Sequence, residues 1–187
     1  MKNKQRCTWC GEHPLYIEYH DKEWGVPVRD DNKMFEFLIL EGMQAGLSWL
    51  TILRKRENFR AALAEFNPEK IARFTTKKIN QLMHNSGIVR NRLKILAVIN
   101  NAQAYLDLLE NGQSLCGYLW QFTDGAPIKN AWRTLRQVPS ETKISQAMSK
   151  DLKKRGFKFV GPTICYAHMQ ATGMVNDHLV SCFRYDE

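Results

Sequence analysis

The sequence predicts an all-α protein built as a single domain, residues 1–187, and three observations support this fold class. Apolar residues recur at helical spacing, and serine, threonine, asparagine or aspartate stands at most expected helix starts. Strand patterns are scarce, and no internal repeat or linker divides the chain. Residues 143–173 predict two helices joined by a tight hairpin. A chain of 187 residues is long enough to bury about 70% of its unfolded surface.

The N-terminal segment, residues 7–24, combines an unusual number of aromatic rings with two cysteines. For any single ring, a place in the core is the more frequent role. The rings are Trp9, Tyr16, Tyr19, His20 and Trp24.

Candidate metal ligands lie near both ends of the chain. If Asn176 is the N-cap of a last helix, the histidine and cysteine that follow are at i and i+4 on one face. With partners from the N-terminal segment they would form a Cys₂His₂ set suited to structural zinc. Cys10 competes for a place, because Cys7-x₂-Cys10 is also a common zinc spacing, and each residue taken singly could be an ordinary buried side chain. For the set we favour a metal; its members are Cys7, His20, His178 and Cys182.

Apolar residues at helical spacing predict a helix over Asp31–Glu41 that ends at Gly42. After a short turn, Ser48 is the expected N-cap of a second helix, Trp49–Phe66. Glu41 and the tryptophan that opens the second helix therefore flank the turn. A carboxylate at a helix C-terminus meets the negative end of the dipole, which points to function, although a solvated glutamate is the alternative.

Further helices are predicted along the middle of the chain, where residues 127–142 alone show no clear period. Three cations at the start of the longest helix, Arg90, Arg92 and Lys94, either bind phosphate or are solvated, and we expect two of them to be solvated. Two short helices are predicted to start at the caps Asn67 and Thr75. Two further helices are predicted, over Ile88–Glu110, which ends before Gly112, and over Ser114–Phe122.

The hairpin after Lys143 has the features of a phosphate-binding element. Gly156 suits a helix C′ position, and Gly161-Pro162 suits the start of the next helix. A helix N-terminus entered through glycine presents N–H groups and a positive dipole end, which bind phosphate without reading sequence. Lys158 adds charge, so Lys158 and Gly161 are candidate DNA contacts.

Composition limits the function classes. The net charge of +8 and the pI near 9.3 fit a polyanionic partner, although alone they are weak evidence. No apolar run reaches the ~18 residues of a membrane span. Met1–Lys4 is charged and no apolar signal core follows, so we expect a cytoplasmic protein, reaching the nucleoid through DNA, whose cysteines are ligands or core residues. Zinc deaminase, Walker and dinucleotide motifs are absent from the sequence.

The phosphate-binding hairpin, the aromatic cluster, the isolated carboxylate and the candidate metal ligands together suit an enzyme that acts on one unstacked base. An enzyme that flips a nucleotide needs aromatic faces for stacking and a polar group that reads the base edge. Tyr16, Tyr19, Trp24 and Trp49 could supply the faces, and Glu41 the reader.

Long runs of the sequence, spread over nearly the whole chain, resemble the bacterial 3-methyladenine DNA glycosylase I family. The resemblance implies the helix-hairpin-helix glycosylase fold, with both chain ends gathered around one zinc ion held by Cys7, His20, His178 and Cys182. It leaves Cys10 out. The matching runs are Cys7, Pro14–Ile17, Tyr19–Asp21, Glu23–Pro27, Leu40–Gly42, Gln44–Trp49, Lys55–Asn58, Leu152–Gly161, Thr163–Tyr166 and Val175–His178.

The same resemblance implies roles for individual residues. Glu41, the candidate catalytic carboxylate, and Tyr16 would hydrogen-bond the excised base, and Trp49 would stack on it. Tyr19 and Trp24 would line the pocket, and Gly46 and Leu47 would lie at the gap left in the duplex. We expect Glu41 to recognise the base rather than to attack the sugar or protonate the base.

Two departures from the wider superfamily bear on the reaction. Most members carry a catalytic aspartate in a Val-Asp segment after the hairpin, whereas here Asn176 takes that place. Bifunctional members carry a lysine nucleophile after the last hairpin glycine, whereas this chain has Pro162-Thr163-Ile164. The expected enzyme is therefore a monomeric, monofunctional glycosylase that releases 3-methyladenine from alkylated double-stranded DNA. The alternative from another class is a non-catalytic, zinc-stabilised DNA-binding module.

Overall fold

The chain is mostly helical in a computed structural model that describes residues 4–186; Met1–Asn3, named above for their charge, and Glu187 lie outside the described residues. No helix within this range is long and apolar enough to cross a membrane. Two short strands complete the structure, β1 (Ile128–Lys129) and β2 (Val175–Asn176). The helices are α1 Pro14–Lys22, α2 Asp31–Gln44, α3 Trp49–Ala62, α4 Pro68–Ala72, α5 Thr76–His84, α6 Arg92–Glu110, α7 Leu115–Trp120, α8 Lys143–Lys154 and α9 Pro162–Ala171.

Helix α2 forms the centre of the molecule. Every residue from Met34 to Met43 is buried, and α2 packs against α3, α6, α7 and α9. A helix that is buried around its whole circumference belongs to a core. Glu36 and Glu41 are the charged residues within this buried run, and their surroundings decide what each one does.

The predicted end of α2 at Gly42 is wrong, because the helix continues to Gln44. A Cβ atom at Gly42 would lie 3.3 Å from Cβ of Phe159 in the hairpin. The glycine therefore permits a close approach between α2 and the hairpin and does not end the helix. Glu41 still lies in the last turn of α2.

Two other helix boundaries also differ from the prediction. Helix α3 starts at its Ser48 cap as expected but ends at Ala62, where a 3₁₀ turn with positive φ angles over Ala64–Phe66 follows. Helix α6 begins at Arg92 rather than Ile88, because the Asn91 side chain accepts a hydrogen bond from the Lys94 N–H at 3.1 Å and acts as the N-cap. Ile88 is a buried residue before the helix.

The predicted pair of helices joined by a hairpin is confirmed. Helices α8 and α9 pack against each other, and Gly156 has a φ of +92° just after α8. Gly161 is the N-cap residue of α9 and Pro162 its first residue. The hairpin, residues 155–161, lies between them.

The predicted helix after Asn176 is wrong. Asn176 lies in β2, which pairs in parallel with β1 so that Lys129 is opposite Asn176. Its side-chain oxygen accepts a hydrogen bond from the His178 N–H at 3.1 Å, so the asparagine stabilises a turn. The chain beyond it forms turns up to residue 186.

Candidate active site and metal cluster

A cavity of about 210 Å³ lies where the N-terminal segment, the end of α2, the start of α3 and α9 meet. All five residues that we expect to hold a base line it. The cavity is therefore bounded by aromatic rings on several sides and by a few polar groups. Its aromatic and polar lining residues are Trp9, Tyr16, Tyr19, Trp24, Glu41, Gln44, Trp49, Gln170 and Asp177.

The carboxyl group of Glu41 lies at this cavity without polar support from the described residues. It is only 4% exposed, and the residues that the structure describes offer its carboxylate no hydrogen bond or ion pair. Burial raises the pKa of Glu41 to about 8, because a desolvated carboxyl group favours its neutral form. A cationic ligand beside this carboxyl group would favour its ionised form and lower its pKa.

The start of α3 positions Tyr16 and Trp49 beside Glu41. The Tyr16 hydroxyl accepts a hydrogen bond from the Leu50 N–H at 3.1 Å, which leaves the hydroxyl hydrogen free to donate to a ligand. The Leu50 N–H is one of the first N–H groups of α3, which no helical carbonyl can accept. The rings of Trp49 and Tyr19 lie 5.4 Å apart at 50° and form one wall of the cavity.

Aromatic contacts connect this cavity to the candidate metal ligands. Trp9 packs edge-on against Tyr16 at 5.8 Å and against Trp24 at 4.9 Å. Trp24 in turn lies 4.6 Å from the His178 ring, with an interplanar angle of 85°. Trp9 was among the rings noted in the sequence but was not predicted as a cavity residue; its closeness to Tyr16 along the chain was the available signal.

Asp177 is a cavity residue that the sequence analysis missed. Its carboxylate accepts two hydrogen bonds at each oxygen, with distances between 2.6 and 2.8 Å. These four donors meet the acceptor sites of the carboxyl group, so Asp177 is an acidic cavity residue whose side chain is held in place. Asn176 beside it bonds the Tyr185 carbonyl instead. The donors to Asp177 are Asn130, Trp132, Tyr166 and Gln170.

The four candidate metal ligands converge, although they come from opposite ends of the chain. Their ligand atoms all lie within 4.8 Å of one another, and all four residues are buried. The Cys182 Sγ atom lies 3.5 Å from His178 Nδ1 and 3.4 Å from His20 Nε2. Metal–sulfur bonds of about 2.3 Å and metal–nitrogen bonds of about 2.0 Å in a tetrahedron give S···N separations of about 3.5 Å. This donor cluster, Cys7, His20, His178 and Cys182, could therefore hold a metal ion, whereas Cys10 lies outside it.

Partners on both histidines turn one ring nitrogen towards the cluster; at His20 this nitrogen also accepts a hydrogen bond from the Cys7 N–H at 3.3 Å. His20 Nδ1 donates to the Asp21 carboxylate at 2.8 Å, so Nε2 faces the cluster with its lone pair. His178 Nε2 donates to the Trp24 carbonyl at 3.0 Å, so Nδ1 faces the cluster. Partners of this kind fix the ring orientation of metal-bound histidines. The i and i+4 spacing thus correctly predicted that His178 and Cys182 lie together, although a turn and not a helix brings them there.

The expected DNA contacts lie on two loops near the cavity. Gly46 and Leu47 are in the turn between α2 and α3, residues 45–48, and with Glu41 they line a neighbouring cavity of about 240 Å³. Leu47 is 42% exposed. Lys158 is exposed in the hairpin.

Gly161 begins the helix whose N-terminus is least satisfied. Helices α1 to α8 each have an N-cap side chain that accepts a backbone hydrogen bond, whereas Gly161 gives α9 none. The first N–H groups of α9 therefore remain available to an anion.

Comparisons with known proteins agree with this geometry. A family model described as methyladenine glycosylase matches residues 9–185. DNA-3-methyladenine glycosylase 1 of Escherichia coli (strain K12) is 51% identical over 97% of this chain and 97% of its own. A crystal structure of 3-methyladenine DNA glycosylase I covers 97% of this chain and 100% of its own, with 51% identity and a TM-score of 0.96. A structure showing 3-methyladenine recognition by the Staphylococcus aureus enzyme has 37% identity, 95% coverage of both chains and a TM-score of 0.92.

Proposed function

Because the chain belongs to the methyladenine glycosylase family, we propose that it is a monofunctional DNA glycosylase. Its reaction is the hydrolysis of the N-glycosidic bond of 3-methyladenine, after this base has been flipped out of alkylated duplex DNA. The observation that carries the proposal is the carboxyl group of Glu41, which is buried, without a partner in the described part of the chain, in a cavity walled by Tyr16, Tyr19, Trp24 and Trp49. A non-catalytic DNA clamp has no use for such a cavity.

The cavity favours a cationic base over ordinary adenine. Methylation at N3 gives the base a formal positive charge, and aromatic faces favour a cation by about 0.5 to 2 kcal/mol per good contact. Glu41, whose pKa burial raises to about 8, becomes more easily ionised next to a cation. Unmodified adenine benefits from none of these interactions.

Each predicted cavity residue has a role in this scheme. Glu41 accepts a hydrogen bond from the exocyclic amino group of the base, and the free hydroxyl hydrogen of Tyr16 is donated to a ring nitrogen. Trp49 stacks on the base, while Tyr19 and Trp24 close the sides. Because a cationic base leaves in neutral form, the enzyme does not need to protonate it, and water completes the hydrolysis.

We propose that the DNA is held by the helix-hairpin-helix of the glycosylase superfamily. Support comes from the uncapped N-terminus of α9 at Gly161 and the exposed charge of Lys158. These groups bind phosphate without regard to sequence. Gly46 and Leu47 enter the gap that the flipped base leaves in the duplex. The hairpin carries no lysine nucleophile after Gly161, so strand cleavage is not expected.

The donor cluster suits one structural zinc ion per chain. Two thiols and two imidazoles are the ligand types that zinc prefers, and four protein ligands leave no open position for a substrate or water. A bound zinc would join residues 7–20 to residues 176–182 behind the aromatic wall. We further propose a monomer that acts in the cytoplasm, where it meets the nucleoid DNA.

The direct test is the release of free 3-methyladenine from methylated duplex DNA, followed by chromatography. We expect release by the wild-type chain, intact strands at the abasic product and no release of unmodified adenine. Glu41→Gln, which keeps the shape of the side chain, is the matched control and should release less base than wild type. If wild-type protein binds methylated duplex but releases no base, the proposed activity is wrong and the DNA-binding module is the better description.

A further inference from the structure

Helix α6 contacts both loops that we expect to face DNA. The α2–α3 turn (residues 45–48) carries Leu47, and the hairpin (residues 155–161) carries Lys158. Two buried polar residues of α6, Lys94 and Asn101, make these contacts; they are 7% and 3% exposed. Residues seven positions apart lie on one face of a helix, about two turns from each other.

Lys94 holds the end of α2. Its ammonium group donates to the Met43 carbonyl at 2.7 Å and to the Ala45 carbonyl at 2.6 Å. Carbonyls at a helix C-terminus lack intrahelical partners and attract cations. Lys94 therefore fixes the point where the chain leaves α2 and enters the turn that carries Leu47. Of the three cations considered at the start of α6, it is the one that is buried, and it binds carbonyls rather than phosphate.

Asn101 holds the hairpin. Its side-chain amide donates to the Lys158 carbonyl at 3.0 Å and its side-chain oxygen accepts from the Lys158 N–H at 2.7 Å. This two-point contact fixes the backbone next to Phe159, which has a φ of +54°, a value rarely adopted by a residue with a side chain. Asn100 also donates to the Gly156 carbonyl.

Helix α2, which leads into the Leu47 turn, packs closely against the hairpin, and α6 is bonded to the end of α2 and to the hairpin backbone. A Cβ atom on Gly42 would lie 3.3 Å from Phe159, and the remaining gap between α2, α6 and the hairpin is about 10 Å³. A space of this size holds about one water at most. Movement of either loop relative to the other would break the contacts of Lys94 or Asn101.

We propose that Lys94 and Asn101 are positioning residues that set the distance between the Leu47 turn and the phosphate-binding hairpin. Base extrusion requires both loops to act on one duplex at once, with the phosphates held while the turn fills the gap. Binding of a base that is already free requires only the cavity. The inference rests on the proposed function for the role of the two loops, and the contacts that α6 makes with them are independent of it.

The test separates entry into the gap from base recognition. We would measure the affinity of full-length protein for undamaged duplex, for the same duplex with a stable abasic-site analogue, and for free 3-methyladenine, together with single-turnover excision. For Lys94→Met we expect the preference for the abasic duplex and the excision rate each to fall about ten- to a hundredfold, with free-base affinity within about twofold of wild type. Asn101→Leu should behave in the same way, and Lys94→Arg should recover part of the loss.

The matched control is Arg92→Met, which removes an exposed cation from the same turn of α6. It should change binding to both duplexes alike and leave the preference unaltered. Should Lys94→Met fail to fold, Lys94→Gln allows the same measurements. An unchanged abasic preference, or a free-base affinity that falls in step with excision, would overturn the proposal. If wild type prefers the abasic duplex but releases no base, the enzymatic proposal fails while the positioning role stands.

Discussion

Glu36 and Glu41 are both buried on α2, at 7% and 4% exposure, yet their surroundings are opposite. One oxygen of Glu36 accepts three hydrogen bonds, one from Arg56 at 2.6 Å and two from Arg60 at 2.8 and 3.1 Å. Glu41 faces a cavity with no such partner among the described residues. A buried carboxyl group that is paired with arginines belongs to the structure, whereas one without a partner marks a place where a ligand completes it.

Arg56, which pairs with Glu36, has further partners. Arg56 is buried between Glu36 and Glu23, and it donates two hydrogen bonds to Glu23 at 2.8 and 2.9 Å. It also lies over the Phe37 ring at 5.1 Å. This network joins the end of α1 to α2 and α3, and Tyr19 lines both the cavity of Glu41 and the cavity beside the network. Among the described residues, Arg56 and Arg60 pair with Glu36, and no cation pairs with Glu41.

The largest expected effect is on stability, from Glu36→Gln. The substitution removes the charge that neutralises Arg56 and Arg60, and breaking a buried ion pair destabilises a protein by 3 to 5 kcal/mol. Because Arg56 keeps Glu23, we expect the low end, about 3 kcal/mol. Urea unfolding followed by circular dichroism measures this loss. Affinity for free 3-methyladenine should stay within about twofold of wild type; a parallel loss would show that Glu36 also supports the cavity.

Glu41→Gln should reverse this pattern by weakening base binding without loss of stability. It keeps the shape of the side chain but replaces an ionisable acceptor with a neutral amide. We expect a loss of about 1 to 3 kcal/mol in binding the base, with a matching fall in excision. Calorimetric titration with free 3-methyladenine and single-turnover excision measure the two quantities. Unchanged affinity together with a collapsed excision step would assign Glu41 to bond cleavage instead of recognition.

The pH dependence of stability should distinguish Glu41 from ordinary carboxylates. Its pKa is about 8 in the folded protein and about 4.3 in an unfolded chain, so between these values the folded state holds a proton that the unfolded state has lost. Rising pH therefore destabilises the wild type through this group by up to about 1.4 kcal/mol per pH unit. The stability of Glu41→Gln relative to wild type should accordingly rise from pH 5.5 to 7.5 and level off above about 8.

Urea unfolding of both proteins at several pH values measures this difference. The other titrating groups, including the donor cluster, are common to both proteins and cancel in the comparison. A constant difference between the two proteins across this range would show that Glu41 is not held neutral by burial.

The smallest effect is expected from Glu57→Gln on the exposed edge of the same network. Glu57 accepts a hydrogen bond from Arg60 at 2.6 Å, but its side chain is 81% exposed. Exposed ion pairs contribute about 0 to 1 kcal/mol, so the substitution should change stability by less than about 0.5 kcal/mol. Thermal unfolding at low and high salt measures it. A loss comparable with that of Glu36→Gln would mean that the network acts as one unit.

Local chemistry explains why much of the fold could be predicted from the sequence. Helix starts such as Ser48, Asn67 and Thr75 depend on a side chain and an N–H group three residues away, and such contacts are visible in the sequence. Gly156 and Gly161-Pro162 likewise predicted the hairpin correctly from conformational preferences alone. The spacing of His178 and Cys182 correctly predicted that these two side chains lie together, in a cluster that could hold a metal ion, although a turn replaces the helix assumed for them.

Contacts between distant segments decided the rest. The sequence shows Glu36 and Glu41 as similar carboxylates, and only the packing of α1 and α3 against α2 gives one of them arginines and leaves the other beside a cavity. Asp177 and Lys94 also acquired their roles from partners far along the chain, which no local pattern encodes. Gly42 shows the difference clearly. As a glycine it suggested a helix end, but in the structure the hairpin packs so close to it that a Cβ atom there would crowd Phe159. Local preferences act over one helical turn, whereas burial and pairing depend on which distant segments meet, so the elements were predictable and their chemistry came from the tertiary structure.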